Sequence, residues 1–135
     1  MTGLRHPSVA GVFYPADSES LRRKISGLLP AGARKPAAAV LVPHAGYDYS
    51  GRVAGAAYAR VEVTPEVVLV AFHHRGVGAR FGIWPGGAWE TPLGAAPIAR
   101  DLAERLKSTC PELEDDEANF TREHSGEVQV PFLQA

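Results

Sequence analysis

Two apolar runs in this chain end in histidine. Residues 40–51 read VLVPHAGYDYSG, which puts His44 at the end of the first, and VVLVAFHHRG puts His73 and His74 at the end of the second. Neutral imidazole is the commonest protein ligand for zinc, iron or copper, so two such ends side by side begin a metal site. Neighbouring strands lie about 4.8 Å apart, a separation from which His44 and His73 reach a common ion. His74 is expected to point elsewhere and to contact a substrate or support the ligands. Against this stands the plainer reading, in which a histidine after a strand is a surface or hydrogen-bonded residue; two imidazoles also fall short of the three protein ligands usual in a catalytic centre. Tyr47, Asp48 and Tyr49 follow His44 directly, with Gly46 and Gly51 leaving room for a ligand to approach the backbone. In REHSGE, Glu123, His124 and Glu127 form an acid and base cluster that serves either as a helix cap or as a site wall. His6, beside Pro7, is expected in solvent.

The elements that must position these residues follow from periodicity. Asp17 or Ser18 caps a helix whose Leu21, Ile25, Leu28 and Leu29 share one face, and Pro30 with Gly32 stops it. AAAVLVP and EVVLVAF are continuous apolar runs without alternation, the pattern of strands buried on both faces of a parallel sheet. Between them, SGRVAGAAYARV predicts an Ala-rich helix capped by Ser50. A strand, helix, strand unit is right-handed with parallel strands, so both histidine ends fall on one sheet edge, where ligands of open α/β sheets bind. Residues 75–94 read as a glycine-rich excursion with a short strand at Arg80 to Trp84 before the turn TPLG. APIARDLAERLKS predicts a helix with Ile98, Leu102 and Leu106 on one face, and a last capped helix is expected from Ser125.

The chain has 135 residues, about one domain, and a formal charge of −1 without like-charge runs. That balance gives no reason to expect nucleic acid or an anionic membrane as partner. No apolar segment approaches the roughly 20 residues of a membrane span, and the first residues lack a signal-peptide core, so a cytoplasmic location is expected. Cys110 is the single cysteine, which excludes an internal disulfide and a cysteine-based zinc cluster, and is read as an incidental thiol.

AGVFYPAD, VPHAGYDYSG, the run ending in HH, WETPLG and EHSGEVQVPFL resemble, in this order, the Memo-like proteins, called AmmeMemoRadiSam system protein B in prokaryotes. The resemblance runs from about His6 to Leu133. It implies an α/β fold, a partial doubly wound and mainly parallel sheet flanked by helices, similar to class III extradiol dioxygenases. It also implies a metal site linked to iron or copper and to redox behaviour. His44 and His73 would then be the first two ligands, with Phe13 and Tyr49 lining the pocket and His124 or Tyr49 assisting proton transfer. Tyr47, Asp48, His74 and Glu123 would face a small-molecule or peptide ligand. Val70, Ala71 and Phe72 depart from the family's small polar approach to the second histidine, and Gly126 stands where an apolar residue is usual. The family chain is about twice as long, and its third ligand, a cysteine, lies in the half not matched here. The resemblance is thus to an N-terminal half, expected to bind metal weakly with water or Asp48 completing the coordination, and to form an oligomer or a complex with a chain supplying the missing half. The alternatives are a non-catalytic peptide or phosphopeptide module using the same crevice, or an inactive fragment.

Overall fold

The computed structural model describes residues 3–135. Its first helix, α1 (Ser18–Leu28), starts where the sequence predicts: the Asp17 side chain accepts from the Ser20 N–H at 2.8 Å, occupying one of the donors a helix start leaves free. Leu21 and Ile25 are its buried residues. The second helix, α2 (Tyr47–Tyr58), begins three residues before the Ser50 cap expected from sequence. Tyr47 accounts for the earlier start, because its N–H donates to the Phe13 carbonyl at 2.7 Å and its buried hydroxyl donates to the Val128 carbonyl at 2.8 Å.

Glycine brings α1 and α2 together. A Cβ placed on Gly55 would lie 2.1 Å from the Leu28 carbonyl oxygen, and one on Gly51 would lie 2.8 Å from Leu28 Cδ1. At Gly55 the obstacle is backbone, so only a residue without a side chain permits that approach; at Gly51 the end of the Leu28 side chain would have to give way. Around this crossing Tyr14, Leu21, Ile25, Tyr47, Ala54, Tyr58, Val128 and Phe132 form the main core. Burial of each aliphatic side chain there stabilises by about 1.5–3 kcal/mol.

The strands are short. β1 (Leu4–Arg5) pairs in parallel with β3 (Ala88–Thr91), which forms an antiparallel hairpin with β4 (Gly94–Pro97) across the expected turn. Gly94 has φ +121°, a conformation that favours glycine at the end of that turn. The strand expected at Arg80 to Trp84 is β2 (Gly82–Ile83), parallel to β5 (Glu114–Asp115). Between β4 and β5 lies α3 (Arg100–Thr109), with Ala103 its one buried residue among those described. The expected helix after Ser125 is a 3-10 turn at Glu127–Gln129 running into α4 (Val130–Leu133), whose first turn accommodates Pro131 because a helix start needs no donor there.

One expectation is overturned. Residues 37–43 and 66–72, read as buried parallel strands, carry no strand assignment, and among the described residues no backbone hydrogen bond joins them to a neighbour. Most of their side chains are exposed, Leu41 at 97% and Val70 at 88%. An apolar run becomes a strand only when a neighbour supplies its ladder, and nothing among these residues does. Among the described residues the architecture is therefore α/β, with a three-stranded mixed sheet, a two-stranded parallel one and four α-helices, not a doubly wound parallel sheet.

Candidate metal centre

The motif EHSGEVQ, residues 123–129, holds the site together residue by residue. Ser125 Oγ donates to the Phe72 carbonyl at 3.0 Å, and Gln129 Nε2 donates to the Pro43 carbonyl at 3.0 Å. These bonds tie down the ends of both irregular apolar segments, one residue before His44 and two before His74. Glu127, 1% exposed, accepts from Arg5 Nη1 at 2.8 Å, from the Ser8 and Val9 N–H groups and from the Tyr14 hydroxyl at 2.7 Å. Arg5 adds bonds to the Phe120 and Glu123 carbonyls and stacks over Trp89. Glu127 thus clamps the N-terminal arm and is neither a cap nor a site wall.

The clamp delivers Phe13 and His124 to the same place as the two segment ends. The imidazoles of His44, His74 and His124 converge, their donor nitrogens all within 4.8 Å of one another. His74 stacks on His124 at 4.7 Å between ring centroids, and His44 meets His74 edge-on at 5.2 Å. Phe13 packs on His124 at 4.8 Å and Phe72 on His44 at 5.1 Å, so aromatic rings flank the cluster.

Glu123 sets the direction of His74. Its Oε2 accepts from the His74 N–H at 2.7 Å, and its Oε1 lies 2.9 Å from His74 Nδ1 and accepts from the Ser125 N–H at 2.9 Å. Burial pushes the Glu123 carboxyl up, but the bonds from Ser125 and His74 outweigh it and hold the group at about 2. An ionised carboxylate needs a donor opposite it, so His74 carries its proton on Nδ1 and keeps the Nε2 lone pair free. Burial lowers the His124 imidazole below its usual range, with the neighbouring His74 and His44 rings acting in the same sense and Glu123 pulling against them. Three rings able to offer lone pairs, one of them oriented by a carboxylate, are the usual make-up of a transition-metal site.

The expected pair of His44 and His73 requires correction. His73 Nε2 accepts from the Val77 N–H at 2.9 Å in the following turn, outside the cluster. Glu123 captures both the backbone N–H and the ring of His74, which fixes that residue at the rim and leaves its neighbour facing away. The third imidazole of the cluster is that of His124; Asp48, expected to complete the coordination, lies in an exposed ion pair with Lys24. Tyr47 lies in the core, its hydroxyl pushed up by burial. Tyr49 is 90% exposed on the first turn of α2. Sequence reasoning gives Ser125, Gln129 and Phe72 no part in building the site, although the first two stand inside the motif that it singles out.

The family profile described as Memo-like protein matches residues 5–135. The chain belongs to the Memo-like family. A MEMO1 family protein of Aquifex aeolicus is 44% identical over 134 residues, covering 97% of this chain and 49% of the relative. Those of Metallosphaera sedula and Caldivirga maquilingensis are 42% and 41% identical, each matched over 96% of this chain and 51% of its own length. The chain spans about half the length of the Memo-like relatives it matches. Among the described residues no helix is long and apolar enough to cross a membrane.

Proposed function

We propose that this Memo-like chain binds one divalent transition-metal ion, iron or copper, through His44, His74 and His124, and serves a redox function at that ion. The observation that carries the reading is the convergence of three imidazole donors within 4.8 Å. Ligand nitrogens around an ion bonded at about 2.0–2.1 Å stand roughly 3.0–3.4 Å apart. Small rotations of these partly exposed rings close the difference. Three nitrogen donors suit an intermediate metal and leave further coordination positions open. Bound there, such a metal supplies Lewis acidity and one-electron chemistry at the open positions.

The chain's own residues contribute orientation and shielding. Glu123 keeps the His74 proton on Nδ1, Ser125 and Gln129 hold the two segment ends in place, and Phe13 and Phe72 wall the opening with apolar surface. An exchange of His73 for His74 as ligand separates this arrangement from the one expected from sequence. Metal content by elemental analysis is expected to fall from near one ion per chain to background in His44→Ala and His74→Ala, and to persist in His73→Ala. Retention in His74→Ala with loss in His73→Ala would overturn the ligand set. A peptide ligand that binds equally well after chelation would instead favour a binding module without metal.

A further inference from the structure

Two loops, 75–79 and 118–123, enclose a cleft of about 290 Å³ next to the imidazole cluster, with Glu123 in its wall. That volume stands at the small end of ligand pockets, which run to about 300–1,000 Å³ and combine apolar walls with a few polar groups. The loops are fixed before any ligand arrives. The Ala79 N–H donates to Asp116 Oδ2, and the Ala79 carbonyl accepts from Asn119 Nδ2 at 2.9 Å. Gly78, at φ +97°, permits this closeness, since a Cβ there would lie 2.1 Å from Asn119 Oδ1. The Val77 N–H donates to His73 Nε2 at 2.9 Å, and Arg75 Nε donates to the Arg122 carbonyl at 3.3 Å, which joins one loop to the other.

The charge of the cleft is unbalanced. Arg75 and Arg122 both line it and are exposed, and among the described residues neither has a carboxylate partner. The Glu123 carboxylate in the same wall is already taken up by the His74 and Ser125 N–H groups and the His74 ring. Two guanidinium groups against one carboxylate leave a single positive charge, and a cleft of one sign gathers the opposite ion. An anion placed here relieves the repulsion between the arginines and gains the paired N–H···O bonds that a planar guanidinium gives to a carboxylate. Val77 and Ala118 contribute apolar wall. A doubly charged phosphate would exceed the net charge and meet Glu123, whereas a monocarboxylate matches it.

We infer that this cleft binds a small organic acid, its carboxylate paired with Arg75 and Arg122 and its apolar body against Val77 and Ala118. Arg75 follows His74 in the chain and Arg122 precedes Glu123, so an acid held here is anchored beside the imidazole cluster. The two arginines then select, by charge, which molecules are held next to that cluster. Binding of the acid needs no metal ion. It is read on the metal-free chain, and its failure would leave the proposed metal function standing.

The test titrates benzoate into the chain, freed of metal with a neutral chelator, and follows the backbone amide shifts by NMR. Saturable shifts centred on 75–79 and 118–123 are expected. Arg75→Gln and Arg122→Gln are each expected to weaken benzoate about tenfold, as is replacing benzoate with benzamide, which keeps the shape and lacks the charge. Arg75→Lys and Arg122→Lys keep the charge without the fork and are expected to lose less than the Gln variants. Both positions are exposed, so the circular dichroism of all four variants is expected to match that of the parent. No saturable shift at tens of millimolar benzoate, shifts confined to other segments, equal binding of benzamide, or full affinity in both Gln variants would each overturn the inference. Phenyl phosphate binding more tightly than benzoate would assign the cleft to phosphate esters, and the carboxylate reading would fall.

Discussion

The carboxylate of Glu123 accepts three hydrogen bonds with two oxygens, and what it holds is the orientation of a metal-ligand candidate. Glu123→Gln keeps the volume but replaces one acceptor oxygen with a donor, so the amide cannot satisfy both N–H groups and the His74 ring. Metal affinity is expected to fall by about 10–100-fold, checked by competition with a chromophoric chelator, while metal content recovers at saturating metal. Glu127 has a different task. Removing it in Glu127→Ala leaves the Arg5 guanidinium buried without its counter-ion, and a loss of about 3–5 kcal/mol is expected from urea unfolding. Glu127 is held below the usual carboxylate range, since the bonds from Ser8, Val9 and Tyr14 outweigh the effect of burial. Both glutamates therefore hold a lower pKa folded than unfolded. Their stabilisation is fully present above the unfolded value near 4.5 and is lost as pH falls through the folded values, about 2 for Glu123. The urea midpoint is expected to drop steeply between pH 4.5 and 2, with Glu127→Ala showing a shallower dependence. At this scale the sequence singled out Glu123, His124 and Glu127 as a cluster without separating their roles. Glu123 orients His74, His124 joins the imidazole cluster and Glu127 clamps the N-terminal arm, and only partners distant in sequence distinguish the three.

Helices were the readable elements. The Asp17 cap and the 3.6-residue spacing of Leu21, Ile25 and Leu28 are local properties, so α1 lies where they put it. The start of α2 was misplaced because its decisive contacts, to Phe13 and Val128, are distant in sequence. The α1–α2 crossing predicts opposite outcomes for two glycine substitutions. Gly27 faces open space in α1, so Gly27→Ala is expected to stabilise by about 0.5–1 kcal/mol through its helix preference. Gly55→Ala drives its Cβ into the Leu28 carbonyl and is expected to destabilise by about 2 kcal/mol or more. Thermal unfolding of both variants decides it, and equal effects would contradict the packing described here. The strands failed as predictions for the reason that the helices succeeded: a helix satisfies its own backbone, while a strand depends on a neighbour that periodicity does not reveal.

Across the whole molecule, stability is concentrated. One core joins α1, α2, Val128 and Phe132, and a second gathers Trp84, Trp89 and Val130 with Phe120 packed against it. Segments 37–43 and 66–72 stand outside both except for Val42. Substitution is expected to follow that division. Val70→Asp changes the stability of the lone chain by no more than about 0.5 kcal/mol, whereas Val128→Asp, buried between Tyr47 and the Glu127 clamp, abolishes cooperative unfolding. Denaturation curves followed by circular dichroism check both, and a large loss in Val70→Asp would show that the segment is packed in the lone chain.

From sequence alone came the family, the first helix and the part of the chain where imidazoles gather, because motif order, capping and helical spacing are written in neighbouring residues. Tertiary structure alone decided that His74 and not His73 joins His44, and that His124 completes the set. Rotation of a side chain about its backbone is governed by what faces it in space, here a carboxylate 49 residues away in sequence. It likewise decided that the most apolar stretches lie on the outside, since burial belongs to a residue and its surroundings together.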